Sequence, residues 1–534
     1  MTVDTLFVNA RIVDGTGAPW FRGSVGVSDG TIACVSQRPD PDDAAEQRVD
    51  VDGDVLCPGF IDTHSHSDLQ LFEDAILAPK TRQGITTEIL GQDGFSMAPL
   101  HRDGAPEDWA EQLSGLAGTT DREWTWGSVG DYLDAVEADG VAPNVGTLVG
   151  QGTVRFEVMG MDDSEPTDAE LEEMRDLVEA SLAEGALGLS TALVITPCSY
   201  ADTAELRALA AELRPVGRPF VAHIRSERAG IWDALDEFVD IGAAEDVPLH
   251  LSHFKLGGPP QHGKTDRALA LVEAARERGV ELTADQYPYT ASSTLLSYVL
   301  PPWVHAEGPE QAIEYLRDEE ARERIRRDIE QYRIDGWDNP GAYSGWDSVV
   351  VTNVQSTDNE ELQGLSIAEI ASRWETNPVY AVCDLLATEE MGVSILNHFI
   401  DEDDVRAILA SERVNVITDG LFGGKPHPRV YGSFPKVLGT YVREENLLSL
   451  EMAVRKMTSL PARSMGLQGK GLIRPGADAD LVVFDPDAVE SPATYDDPKQ
   501  HPRGIYEVFV GGEAVVRHGE TTGRTPGATI RAGE

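Results

Sequence analysis

A change of rhythm along the chain limits its fold more than any other feature. Between about residues 58 and 468, apolar strand-like runs alternate with amphipathic helical ones. Ile85–Leu90, Asn144–Val149, Ala186–Ser190, Pro219–Ile224, Pro248–Phe254, Glu281–Ala284, Gly392–Leu396 and Val414–Thr418 read as strands, with helical stretches such as 167–184 and 265–279 between several of them. Parallel neighbours need a long crossover, which a helix supplies, so this alternation predicts parallel β/α units. Roughly eight such strands predict an α/β fold with a closed (β/α)8 TIM-like barrel, in which functional residues gather at the C-terminal ends of strands.

The two ends of the chain read differently. Residues 5–13, 23–35 and 51–56, and again 479–485, 506–510 and 514–516, are short strands punctuated by turns. Chain termini often lie close together, so these ends predict one small β-sandwich domain built from residues 1–57 and 469–534, flanking the barrel at 58–468. A charged helix at 310–332, followed by the Trp- and Gly-containing run 337–346, breaks the barrel rhythm. It predicts an insertion at about 303–347, either a lid or surface decoration.

Charge narrows the partners. The 534 residues hold 92 Asp and Glu against 43 Lys and Arg, a net charge of −49, while 41% hydrophobic residues suffice for a large core. Such a surface repels polyanions, so neither nucleic acid nor an anionic membrane is expected as a partner. Only eight of the basic residues are Lys. An acidic, Lys-poor surface is expected of a halophilic protein, where dense salt screens self-repulsion. The four Cys (34, 57, 198 and 383) fall at no metal or redox spacing, no apolar run reaches the ~18 residues of a spanning helix, and the first residues carry no basic leader. These features predict a cytoplasmic protein acting on a small molecule, and leave a homo-oligomer open.

The chemistry starts at Pro58-Gly59-Phe60-Ile61-Asp62-Thr63-His64-Ser65-His66. An apolar strand runs into two His at i and i+2, which share a face and so can hold one metal. His223 ends the run Val221-Ala222-His223, His253 ends Leu249–His253, Asp93 follows Ile89-Leu90, and Asp419 follows Val416-Ile417-Thr418. Four His and two Asp on one barrel rim describe a one- or two-metal hydrolase site. His250 is three residues from His253 and so faces the other way. His398 follows a further strand end and reads as supporting or packing. Cys198, after Thr196-Pro197, reads as packing beside the pocket.

These motifs, together with Gly84–Ser96, Gly185–Thr191, His223–Glu227, Ser252–Lys255, Tyr287–Thr294, Thr418–Gly420, His427–Gly439 and Pro461–Gly471, resemble the metal-dependent amidohydrolase superfamily, and within it the D-aminoacylase (N-acyl-D-amino-acid deacylase) family, over nearly the whole chain. The resemblance implies hydrolysis of the linear amide of N-acyl-D-amino acids with zinc. It implies His223 and His253 as ligands of a tight metal, His64 and His66 at a looser site, and Asp419 as acid–base and ligand. For the substrate carboxylate it implies Lys255, Tyr287, Ser293 and Arg429. One departure stands out: the family's usual Cys ligand is replaced by Asp93. A carboxylate is a harder ligand than a thiolate, which opens the site to Mn2+ or Co2+ as well as Zn2+. Alternative readings are a dipeptidase-like activity on peptides with D- or isomerised residues, a cyclic-amide hydrolase of the dihydroorotase or hydantoinase kind, and a catalytically dead, assembly-forming relative.

Overall fold

A computed structural model describes residues 2–102, 104–113, 120, 122–331, 334 and 337–533. Its centre is a closed ring of eight parallel strands: β1 (Phe60–Asp62), β2 (Ile85–Leu90), β3 (Asn144–Thr147 continued by Val149–Gly150), β4 (Leu189–Ala192), β5 (Phe220–His223), β6 (Leu249–Leu251), β7 (Leu282–Gln286) and β8 (Val414–Val416). Parallel pairing runs in chain order from β1 to β3 and from the second half of β3 to β8. The ring closes where Ser65 bridges Gly420 and the Asp419 N–H donates to the His64 carbonyl at 2.9 Å. The helices on the outside follow from their sequence. Thr167 opens Asp168–Ala183 with a capping box to Glu170, and the buried residues Met174, Val178 and Leu182 form its inner stripe.

One expected barrel strand belongs elsewhere. Ser394–His398, which overlaps the run read as Gly392–Leu396, pairs antiparallel with Ala291–Leu295 and Val349–Asn353 in a separate three-stranded sheet. A short apolar run buries equally well in a parallel or an antiparallel sheet, so its composition cannot tell the two apart. The eighth barrel strand is instead the three-residue β1. The chain leaves the barrel after β7 and returns at β8, a wider excursion than the 303–347 expected. This excursion has its own apolar core, including Leu296, Val304, Leu316, Ile325, Val382 and Ile395. The charged segment read as one helix at 310–332 forms two, Pro309–Arg317 and Glu319–Glu330; Tyr332 lies outside the described residues.

The chain ends meet in one nine-stranded sheet. Val3–Ile12 pairs with three neighbours, and Val55–Pro58 pairs antiparallel with Leu481–Phe484, joining the N- and C-terminal parts. Phe7 and Phe509 lie on strands that are not neighbours, yet their rings meet edge to face at 4.9 Å. The sheet therefore folds over itself around Phe7, Ile12, Val25, Leu56, Leu481 and Phe509, giving two inner faces. Gly59 couples this sheet to the barrel. Its N–H donates to the Asp480 carbonyl, and a Cβ there would sit 2.0 Å from Thr86 Oγ1, so no larger residue fits between the two units.

Candidate metal centre

Each sequence-predicted site residue lies at or just beyond the C-terminal rim of the barrel, or on an adjoining loop or excursion segment. His64 and His66 follow β1, Asp93 follows β2, His223 ends β5, His253 and Lys255 follow β6, Tyr287 follows β7 and Asp419 follows β8. Ser293 lies on the excursion strand Ala291–Leu295, and Arg429 opens the helix Arg429–Lys436.

Two clusters form, with Asp93 in both. One ligand atom from each of His64, His66, Asp93 and Asp419 lies within 4.8 Å of the others; the same holds for Asp93, His223 and His253. Asp93 Oδ2 is 3.5 Å from Nε2 of His64 and of His66, and Oδ1 is 3.5 Å from Nε2 of His253. Asp419 Oδ1 is 3.3 Å from His66 Nε2. The His223 and His253 rings are 4.4 Å apart, edge to face. Both nitrogens of His64, Nε2 of His223 and Oδ1 of Asp93 are buried without a hydrogen-bond partner among the described residues. Orphaned buried imidazole and carboxylate atoms converging on two points fit divalent cations, and the all-N/O donor set suits zinc, manganese or cobalt.

The backbone delivering these groups is strained. Asp93 (φ 57°), His253 (φ 33°) and Asp419 (φ 48°) all adopt left-handed conformations, which non-glycine residues hold at a cost of about 1–3 kcal/mol each. Local hydrogen bonds hold the Asp93 loop in place. The Gly91 N–H donates to Asp68 at 2.9 Å, the Gly94 N–H to Ser190 Oγ at 3.0 Å, and Gln92 Nε2 to the Thr63 carbonyl at 2.7 Å. Cys198 packs behind this loop and belongs to neither cluster. Its Sγ lies 3.9 Å from the Asp93 carbonyl oxygen, and burial pushes the thiol up to about 12, so it stays protonated.

The electrostatics follow from the crowding. Burial opposes charge on His66, but Asp419 and Asp93 outweigh it and raise the imidazole to about 9. Burial and Lys255 oppose charge on His253, but Glu227 and Asp93 raise it to about 10. His223 is driven down to about 3, chiefly by burial. Burial works against ionisation of Asp419, yet Arg429 and the imidazoles hold it well below the carboxylate range. Arg429 Nη1 is 2.8 Å from Asp419 Oδ2, and its guanidinium lies over the Tyr287 ring at 4.6 Å. Lys255, Tyr287, Ser293 and Asp419 line one cavity together with His66, Asp93, His223 and His253, and Arg429 reaches it through Asp419 and the Ser293 carbonyl.

Several supporting residues escaped the sequence reading. Glu227 lies 3.0 Å from His253 Nδ1 and makes a short ion pair with Lys255. Lys255 Nζ also lies 2.8 Å from His253 Nδ1, so this nitrogen is engaged by the Glu227–Lys255 pair and Nε2 is the one that faces Asp93 and the cluster. The spacing of Glu227, four residues after His223, was the available signal. Below His64 and His66, the fully buried Lys80 ammonium lies within 2.9 Å of Asp62, Glu88, Ser65 and Thr418, tying β1, β2 and β8 together. His427 donates from Nε2 to the Ala291 carbonyl at 3.0 Å and accepts the Arg429 N–H on Nδ1 at 2.9 Å, which fixes where that arginine begins. His250 bonds Thr283 and Asp285, facing away from the clusters as its offset predicts. His398 lies on the excursion sheet, with its ring 4.9 Å from that of Tyr495.

Comparison with known proteins extends this geometry. Residues 47–520 match the profile of a family described as the amidohydrolase family. The chain is 34% identical to a D-aminoacylase of Alcaligenes xylosoxydans xylosoxydans, over 99% of this chain and 97% of the relative. It superposes with a TM-score of 0.83 on the N-acyl-D-glutamate deacylase of Bordetella bronchiseptica, solved with zinc and a phosphonate mimic of the tetrahedral intermediate, at 35% identity and 100% coverage of both chains. A D-aminoacylase structure concerned with one-metal activation and second-metal attenuation of a binuclear centre also gives 0.83, at 32% identity over 99% of this chain and 100% of that one.

Proposed function

The chain belongs to the amidohydrolase family, and on that premise we propose that it is a metal-dependent deacylase that hydrolyses the linear amide of N-acyl-D-amino acids to a carboxylic acid and a D-amino acid. The observation that carries the reading is Asp93, one carboxylate within 3.5 Å of three imidazoles on two sides of the rim. His223 and His253 with Asp93 would hold one zinc-class cation, and His64 and His66 with Asp93 and Asp419 a second. Bound there, such a cation polarises an amide carbonyl and acidifies water.

The remaining work falls to the chain's own side chains. Lys255, Tyr287, Ser293 and Arg429 receive the substrate carboxylate; Tyr287 Oη is buried with no hydrogen-bond partner among the described residues, and Arg429 offers the fork geometry a carboxylate matches. Holding the carboxylate fixes which face of the α-carbon meets the reacting centre, so the D configuration is selected by position. Asp419 Oδ1 faces the cluster while Oδ2 pairs with Arg429. Ionised at neutral pH, it accepts a proton from the attacking water and returns one to the leaving nitrogen. When the incoming carboxylate takes Arg429, Asp419 loses part of its counter-charge and becomes a stronger base. The reading includes a cytoplasmic, salt-rich setting, supported by the net charge of −49 and the eight lysines; no helix among the described residues is long and apolar enough to cross a membrane.

The test is amine release from paired N-acetyl-D- and N-acetyl-L-amino acids, with a hydantoin and a dipeptide alongside. D-selective release from the linear amide supports the reading. Release only from the cyclic amide or the peptide overturns it.

A further inference from the structure

The residues assigned to the α-carboxylate leave one cation in the same cavity without a task. Arg228 lines the cavity beside Lys255 and Ser293, yet is only 2% exposed. Its guanidinium lies over the Phe399 ring at 4.2 Å, and Nη1 donates to Tyr298 Oη at 3.2 Å. Its anionic partner is distant and shared. Asp338 Oδ2 is 3.4 Å from Nη1, and the same carboxylate accepts a short bond from Ser226 Oγ and the Glu227 N–H at 3.2 Å. Arg228 Nε has no hydrogen-bond partner among the described residues although it is buried. A buried guanidinium with an idle donor is costly unless a ligand completes it.

We infer that Arg228 reads a second carboxylate of the substrate, so that the enzyme prefers N-acyl-D-amino acids carrying an acidic group beyond the α-carboxylate. This inference rests on the deacylase reading for the identity of the ligand. The stacking on Phe399 and the bond to Tyr298 hold the guanidinium plane still, which favours paired recognition of a carboxylate over loose attraction. The acidic group comes from either the amino-acid side chain or the acyl chain. Both present the same chemistry to Arg228.

The test is calorimetric binding to the metal-loaded Asp419→Asn protein, with and without Arg228→Met or Arg228→Lys. Two ligand pairs separate the sources: N-acetyl-D-glutamate against N-acetyl-D-glutamine, and N-succinyl-D-alanine against its terminal amide. The acid of at least one pair is expected to bind at least tenfold more tightly than its amide. With Arg228→Met the ratio falls below about twofold; with Arg228→Lys, which keeps the charge and guards against a misfolded Met variant, it is intermediate. Equal binding of acid and amide in both pairs, or a preference that survives Arg228→Met, overturns the inference. The two readings fail separately. Acid preference lost with Arg228, in a wild-type protein that releases no amine, supports Arg228 and sinks the deacylase; amine release without acid preference does the reverse.

Discussion

Arg429 Nη1 lies 2.8 Å from Asp419 Oδ2, so the arginine proposed to clamp the substrate carboxylate is also the counter-ion of the proposed acid–base. The two roles are linked, and replacing Arg429 exposes the link. Arg429→Met removes a charged hydrogen bond from the substrate, about 1.5–3 kcal/mol, or roughly a 10- to 150-fold rise in KM. It also removes the cation that holds Asp419 low, so the acid limb of kcat/KM moves to higher pH. A pH–rate profile of the variant checks both, and an acid limb that stays put would show that Arg429 does not set the state of Asp419.

Asp419→Asn keeps the size of the side chain and its backbone bond to His64 but cannot take a proton. Turnover should fall by on the order of 100- to 10,000-fold, the usual worth of a positioned general acid–base. The His223, His253 and Asp93 cluster does not include Asp419, so at least one equivalent of metal should remain bound. Single-turnover kinetics with metal analysis read the two effects separately.

Lys80 bears on stability beneath the site. It is wholly buried between Asp62 and Glu88, with Ser65 and Thr418 completing its shell. Lys80→Met leaves two buried carboxylates facing each other without a cation, a loss of about 3–5 kcal/mol. Denaturant titration of the metal-loaded protein measures it. A loss below about 1 kcal/mol would mean that the network is not holding β1 to β8.

Part of the fold and of the site is legible in the sequence and part is not. The parallel strands could be read because strands buried on both faces are continuous apolar runs, and the metal side chains because each stands where such a run ends. The i, i+2 spacing of His64 and His66 was enough to place them together. Ser394–His398 misled because an apolar run does not carry its pairing direction. Lys80, Glu227 and Arg228 were hidden for another reason. In a chain this rich in charge a single Lys, Glu or Arg looks like solvated surface, and only the fold shows that these three are buried. Asp93 was visible, but its membership of both clusters depends on the turn Gly91–Gly94, whose left-handed residues the sequence marks only by its glycines.

Salt dependence tests the reading of the surface. A net charge of −49 on one chain repels itself, and the Debye length falls from ~10 Å at 0.1 M to ~3 Å at 1 M salt. The melting temperature should rise by on the order of 10 °C between 0.1 and 2 M KCl, with most of the rise at the lower concentrations where screening changes fastest. Thermal scans across a KCl series check this; a flat or falling curve would remove the halophilic reading.

The proposed metal centre stands or falls with Asp93, a carboxylate shared by both clusters. The most direct measurement is a zinc titration of the chelator-stripped protein in about 2–3 M KCl, where surface repulsion is screened, following bound metal and amine release from an N-acyl-D-amino acid together, for the wild type and Asp93→Ala. Wild-type activity should appear as zinc binds, and Asp93→Ala should lose both tight binding and turnover. Full activity in the stripped protein, or an Asp93→Ala variant that binds metal and turns over like the wild type, would contradict it.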